Sequence, residues 1–374
     1  MIGRFGGSAP KPRCGSWYMK YNLYAKIIIL LVSTIISLFI ILEIVLRCYS
    51  IVNSAFVLMP DDTYLRYRGK PHSREFNGFR LNSMGYKDEE FNTIKKPGVF
   101  RIIGIGDSYT YGAVPYQNCY ITLLKKKILL VDKDCEVLNL GIPAAGPVDY
   151  LSLFVNEGLS LHPDMVLVNI FTGDDFKDGG KRFKLYSYSA AATCINSMFA
   201  NWRAPEGRIF GSGVYQDDVP LQSEASYLQY LADVESGTFQ KSNAYVKDDV
   251  LSSLFFLKEI KRLCDLKNIA FAVVLCPSEL QWHPALQKKL TQKLHITIDD
   301  FDFRLPNRIL AHEFNRLEIE YLDLLDFFLD SFKNNMKSFN KPNDPHWNLY
   351  GNRFAADLVN PWLLKQINRK KNRV

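Results

Sequence analysis

The sequence contains no Cys-x-x-Cys or Cys-x-x-His pair, so ligand spacing offers nothing for a zinc ion, and no metal site is expected. Its seven cysteines stand at 14, 48, 119, 135, 194, 264 and 276 in 374 residues, too thinly spread for a disulfide scaffold. Cys119 and Cys135 are the pair to expect if any bridge forms. Internal repeats are absent, as is any glycine-rich fingerprint for a nucleotide or redox group, so no cofactor is expected. The body of the chain also has no basic excess. The net charge of +7 belongs to the ends: residues 1–26 carry five cations and no acid, and residues 365–374 do the same. Between them, 36 basic residues face 39 acidic ones. A nucleic-acid partner calls for a basic body and is set aside. At 47% apolar and 23% charged residues, the chain has too much core-forming material to be disordered.

What the sequence does have is one long apolar run. Ile27 to Leu46 reads IIILLVSTIISLFIILEIVL, with Glu43 as its one ionisable group. At about 1.5 Å per residue this length spans a hydrocarbon core of about 30 Å. Glu43 precedes Arg47 by four residues, so the two are placed to pair on one helix face near the membrane boundary. The run has no polar face, unlike a core helix of a soluble domain. It is longer than a signal-peptide core of about 7–15 residues. A cleaved signal, with a weak site at Val52 and Ser54, is the alternative. The cationic flank before the run puts the N-terminus in the cytoplasm and the remainder outside the cytoplasmic membrane. The expected organisation is a cytoplasmic basic tail (1–26), a transmembrane helix (27–47), a juxtamembrane connector (48–98) with an ordered patch at 79–87, one α/β domain (99–365) and a basic C-terminal tail (366–374).

A βα rhythm begins at Val99. Strands are expected at Phe100–Ile105, Glu136–Leu140, Met165–Phe171, Ile269–Leu275 and Leu317–Leu322. Helices are expected at Ile121–Val131, Asp149–Leu161 and Asp248–Leu266, with a last one capped by Asn348 and running to about Lys365. Residues 178–245 break the rhythm and read as an insertion or lid. Alternating strands and helices imply a parallel sheet covered on both faces.

Ligands of open α/β sheets sit at the carboxyl ends of the strands. Those ends deliver Gly106-Asp107-Ser108-Tyr-Thr-Tyr-Gly112, Gly141-Ile-Pro-Ala-Ala-Gly146 and Thr172-Gly173-Asp174-Asp175. Asn343-Asp344-Pro345-His346-Trp347-Asn348 follows near the C-terminus. A serine, an imidazole with an acid beside it and two glycine turns are the parts of acyl transfer. Ser108 would attack an acyl carbonyl, His346 would take its proton, and Asp344 would fix the imidazole tautomer. The backbone N–H groups of Ser108 and Gly141 are candidate oxyanion donors. Asp107 reads as an acceptor that shapes the loop, and His283 as a loop residue with a lesser claim to face the site. Asp174-Asp175-Phe-Lys-Asp178 has the DDxxD spacing of magnesium-binding isoprenoid synthases, but that pattern needs a long helix and here follows a strand.

GDSYTYG after a strand resembles the first block of the SGNH (GDSL-type) hydrolase superfamily. NLGIPAAG resembles the second block, TGDD the third and DPHWNLYG the last. The likeness covers residues 99–365. It implies a three-layer α/β/α flavodoxin-like fold with a five-stranded parallel sheet, preceded here by one transmembrane helix. It also implies an esterase or O-acyltransferase with Ser108 as nucleophile, His346 as base and Asp344 as its partner. The upstream RLNSMGYKDEEF and the Glu43/Arg47 pattern resemble membrane-anchored bacterial members linked to cell-surface polysaccharide, which implies an acylated carbohydrate substrate and envelope-biosynthesis partners. Two departures stand out. The third block usually carries Asn, whose amide donates to the oxyanion; Asp174 stands there, and a carboxylate cannot donate. The acid precedes the histidine by two residues where three is commoner, although some polysaccharide O-acetyl esterase and transferase relatives share the shorter spacing. The oxyanion set is therefore Ser108, Gly141 and Asp174, with Asp107 and Asp175 supporting. Rival readings are a weak or inactive member that binds polysaccharide or scaffolds an envelope complex, and a lipid esterase at the membrane surface.

Overall fold

Most of the expected apolar runs of the domain become strands because their side chains are buried on both faces of a sheet. The computed structural model describes residues 15–52, 58–60, 67–69, 71–75, 77–178, 189, 191, 195 and 215–372. A short antiparallel pair, β1 (Leu58–Pro60) and β2 (Tyr67–Gly69), precedes the main sheet. The main strands are β3 (Phe100–Gly106), β4 (Cys135–Asn139), β5 (Met165–Phe171), β6 (Ala270–Cys276) and β7 (Glu320–Asp323). All are parallel, in the order β4-β3-β5-β6-β7. Alternation along β3 feeds two cores. Ile103 and Ile105 pack with helices Pro147–Asn156, Val246–Leu266 and Leu305–Arg316. Ile102 packs on the other face with helices Tyr120–Val131, Leu325–Asn335 and Leu349–Lys371. This is the expected three-layer α/β/α, flavodoxin-like architecture, and the strand order reverses beside β3, where such sheets bind ligands.

Within helix Gly15–Val52, Leu23–Leu46 is long and apolar enough to cross a membrane, and none of it is buried against the rest of the chain. The Arg47 side chain lies outside the described residues. Glu43 Oε2 accepts the Ser189 hydroxyl at 2.8 Å and the Ala191 N–H at 2.7 Å.

Several expectations are corrected. The fifth strand starts at Glu320, because Leu317 still closes helix Leu305–Arg316 and Glu318 turns in the left-handed region (φ 53°). The expected helix Asp149–Leu161 divides into Pro147–Asn156 and a 3-10 turn, Gly158–Leu161. The final helix runs to Lys371, so no free tail starts at 366; Ile367 is in the core, and Arg369 and Lys371 pair with Glu320 and Asp132. Upstream, the packed unit begins before Val99: Leu81, Tyr86 and Lys87 are buried, and Asp88 accepts the Asn139 N–H at 2.9 Å. Cys119 and Cys135 are both free, Cys119 facing backbone carbonyls of 112–115 and Cys135 donating to Asp132. In the insertion, most of 179–214 lies outside the described residues. Its remainder folds as helix Glu224–Tyr230, a π-helical turn Leu231–Glu235 and helix Ser236–Phe239. Tyr227, Leu231 and Phe239 share a third apolar cluster with Leu280, Leu286 and Leu290.

Candidate active site

β3 ends at Gly106, and Asp107 caps the one-turn helix Ser108–Tyr111 by accepting the Tyr109 N–H at 2.9 Å. Gly112 ends that turn at φ 83°, a left-handed conformation that glycine adopts without strain. The turn leaves the Ser108 hydroxyl half-buried at the end of the sheet. From 238 residues downstream, His346 Nε2 comes to 2.9 Å of Ser108 Oγ. The other ring nitrogen lies 2.7 Å from Asp344 Oδ1, which also accepts the His346 backbone N–H at 3.0 Å. The three residues proposed from the sequence thus form one continuous hydrogen-bonded line.

The histidine loop is held from several sides. Asn348 caps the last helix by accepting the Gly351 N–H at 2.8 Å. Asn340 donates to the carbonyl of Pro345, and so does the Tyr109 hydroxyl. Tyr109 is buried, stacked on Phe171 with centroids 4.4 Å apart and tilted against His346 at 5.8 Å. It follows Ser108 directly in the motif, yet residue type alone does not reveal it as the tether between the Ser108 and His346 segments.

Electrostatics separate the nearby acids. Burial is the largest influence on the Asp344 carboxyl and favours its neutral form, but the charge and hydrogen bonds of His346 overcome it and hold the group below the usual carboxylate range. Burial likewise works against the imidazolium of His346. The Asp344 charge and hydrogen bond, with Asp107 and Asp174 behind them, raise its pKa all the same. Asp107 moves the opposite way to Asp344: burial, aided by the Asp174 charge, pushes it up to about 7 against the Tyr109 N–H and His346. Asp175 is raised by burial and by Asp107 and Asp174; its Oδ2 accepts the Phe171 N–H at 2.9 Å and the Tyr150 hydroxyl at 2.8 Å. It therefore shapes the end of β5.

The expected oxyanion donors differ in what the structure leaves them. Ser108 begins its helix, so its N–H has no acceptor within the turn. Gly141 packs flat on the turn that holds Ser108, where a Cβ would lie 2.2 Å from Tyr111 N. Its N–H, however, donates to Asn139 Oδ1 at 2.9 Å and is not a free donor here, which corrects the expected role. Asn139 also donates to Thr110 O at 2.9 Å. Asp174 is half-buried, and its charge acts on His346, Asp107, Asp175 and Glu235. Glu235 was not foreseen, because the insertion shows no period from which to place it. Its carboxylate is buried, accepts the Ser278 hydroxyl and is pushed up to about 8 by burial. His283 does not join the site; its Nδ1 accepts the Leu286 N–H and caps helix Pro284–Leu294. Of the DDxxD run Asp174–Asp178, residues Asp175–Asp178 form a single 3-10 turn, not a long helix, and no group of three metal-type ligands occurs among the described residues.

No family model matches the sequence, and no curated protein matches it. Solved structures are similar in fold. An acetyl xylan esterase, AlAXEase, is 16% identical, with 70% of this chain and 98% of that one covered at a TM-score of 0.41. An acetylxylan esterase from Geobacillus stearothermophilus, solved as a catalytic mutant, is 10% identical over 73% and 96% at 0.38. A lipase/acylhydrolase from Enterococcus faecalis is 12% identical over 71% and 95% at 0.37. The chain's own five parallel strands stand in this order and gather all four motif blocks at one end of the sheet.

Proposed function

We propose that the chain is a serine-dependent acyl ester hydrolase or O-acyltransferase that works through an acyl-Ser108 intermediate. The observation that carries this reading is the unbroken line from Ser108 Oγ through His346 to Asp344, at 2.9 and 2.7 Å. Ser108 Oγ attacks the acyl carbonyl while His346 Nε2 takes the hydroxyl proton. Asp344 stabilises the imidazolium that forms. The oxyanion receives the Ser108 N–H and, when its carboxyl is protonated, Asp174. Collapse of the intermediate breaks the bond to the leaving alkoxide, which takes the proton from Nε2. Water or a sugar hydroxyl then attacks the acyl-serine, again with His346 as base, and releases Ser108. Acetyl as the acyl group and cell-envelope or extracellular carbohydrate as its carrier follow from the motif resemblance. The apolar helix would anchor the protein in the cytoplasmic membrane, with its N-terminus in the cytoplasm, the catalytic domain outside and envelope-biosynthesis proteins as partners.

The second reading is a weak or inactive member of the fold that binds polysaccharide or scaffolds an envelope complex. It is favoured by Asp174 in place of an amide and by the commitment of the Gly141 N–H to Asn139. A fluorophosphonate probe followed by peptide mapping, with aryl acetate turnover by the native protein and by Ser108→Ala, decides between them. Labelling at Ser108 and loss of turnover in the variant are expected; equal turnover would remove the enzymatic reading.

A further inference from the structure

A buried ion pair lies under the turn that follows the nucleophile. Lys87 Nζ donates to Gly112 O at 2.8 Å and to Val114 O at 2.7 Å, and it lies 3.3 Å from Glu75 Oε2. Neither side chain reaches solvent. The two carbonyls bracket the path by which the chain leaves helix Ser108–Tyr111 through the left-handed Gly112. The ammonium thus donates to two backbone carbonyls within six residues of Ser108, and the Glu75 carboxylate balances its charge as an ion pair.

The next residue extends the hold to the facing wall. Asp88 accepts the Tyr116 hydroxyl at 2.9 Å through Oδ1 and the Asn139 N–H at 2.9 Å through Oδ2. Asn139 in turn engages Thr110 O and the Gly141 N–H. Phe79 of the same segment stacks on Tyr116 with centroids 4.1 Å apart. A buried ion pair rarely stabilises a fold more than apolar side chains of the same volume would. What it supplies here is directional: fixed donors aimed at a turn whose position sets the Ser108–His346 distance.

We propose that Lys87, paired with Glu75, is a positioning residue for Ser108, so that the segment between the apolar helix and the hydrolase motifs is a working part of the active site. The role rests on the reading of Ser108 as nucleophile. The test uses the full chain in detergent and compares it with Lys87→Met/Glu75→Leu, in which both charges go and the volume stays. Lys87→Met alone is the companion; it leaves Glu75 buried without its cation and is expected to melt at lower temperature. The double variant is expected to melt near the native temperature. Its kcat on an aryl acetate should be about 10- to 100-fold lower with KM unchanged, the scale of a displacement of about 1 Å at a reacting group. Fluorophosphonate labelling of Ser108 should slow by the same factor. A folded double variant with native kcat and native labelling rate overturns the proposal. Amide hydrogen exchange over residues 108–116, read without substrate, separates this failure from that of the functional reading. If the native protein neither labels nor turns over, faster exchange in the double variant still supports the positioning role, and unchanged exchange overturns it.

Discussion

Asp344→Asn removes one charge from the proposed relay while keeping its shape. In the native site the carboxylate is buried and lies 2.7 Å from His346 Nδ1. When the imidazole accepts the Ser108 proton, a full charge pair forms with centres about 4 Å apart, worth about 4 kcal/mol at an effective dielectric constant of about 20. At about 1.4 kcal/mol per decade, its loss should lower kcat by about 10³-fold. An Asn that turns its amide nitrogen toward Nδ1 also selects the tautomer with hydrogen on Nε2, which cannot take a proton from Ser108. The pH profile gives a second readout with a definite sign. His346 must be neutral to act as base, and its pKa is raised above 6.5 in the native site, Asp344 supplying the largest upward influence. The native rate therefore falls as pH drops through that raised value. In the variant burial still pulls the pKa down while its main opponent is gone, so the acidic limb should move to lower pH as the plateau falls. Steady-state hydrolysis of an aryl acetate from pH 5 to 9 measures both. A loss below about 10-fold, or a limb that stays in place, would refute the assignment of Asp344.

Two further substitutions probe the oxyanion side. Asp174→Asn supplies an amide donor whatever the pH, whereas the native carboxyl donates only when protonated. The variant kcat on an aryl acetate is expected to rise by about 10-fold or more at pH 8; an unchanged kcat would count against position 174 as a donor to the oxyanion. Gly141→Ala places a methyl 2.2 Å from Tyr111 N and 2.7 Å from Thr110 C, backbone atoms that cannot swing aside. It should cost about 1–3 kcal/mol in denaturant unfolding and slow probe labelling, and an unchanged unfolding midpoint would show that the turn gives way.

How far the sequence revealed all this depended on whether a signal was local. Buried strands such as Met165–Phe171 are continuous apolar runs and were placed correctly from one end to the other. The edge strand Glu320–Asp323 is only half-buried, so its pattern was weak and its start was put three residues too early. Ser108, Asp344 and His346 could be read because each sits in a short motif of unusual composition at a strand or helix boundary. Tyr109 and Lys87 could not be assigned their places, since the Pro345 carbonyl and the Gly112–Val114 turn they reach are fixed by tertiary packing. Glu235 lies in an insertion with no period, and its burial comes from segments far apart in the chain. The Gly141 N–H is the opposite case: the motif pointed at it, but Asn139, two residues away, takes the hydrogen bond.

Two acids next to this imidazole could have filled the role of its partner, and the structure separates them by what each receives. Asp344 is hydrogen-bonded by both the ring and the backbone N–H of His346, so its ionised form is favoured despite burial. Asp107 accepts the Tyr109 N–H at 2.9 Å and, at 3.4 Å, the Ser108 hydroxyl, while His346 acts on it only as a charge; burial wins, and the group rises to about 7. Asp175 and Glu235 follow Asp107 upward for the same reason. Divergent acids in one site are how a carboxylate and a carboxylic acid come to work side by side. Were all four ionised, a negative tetrahedral intermediate would form against a wall of like charge, with one imidazolium to offset it. Burial raises Asp107, Asp175 and Glu235 while His346 holds Asp344 down, so the acid most favoured in its ionised form is the one on the far side of the base from the Ser108 hydroxyl.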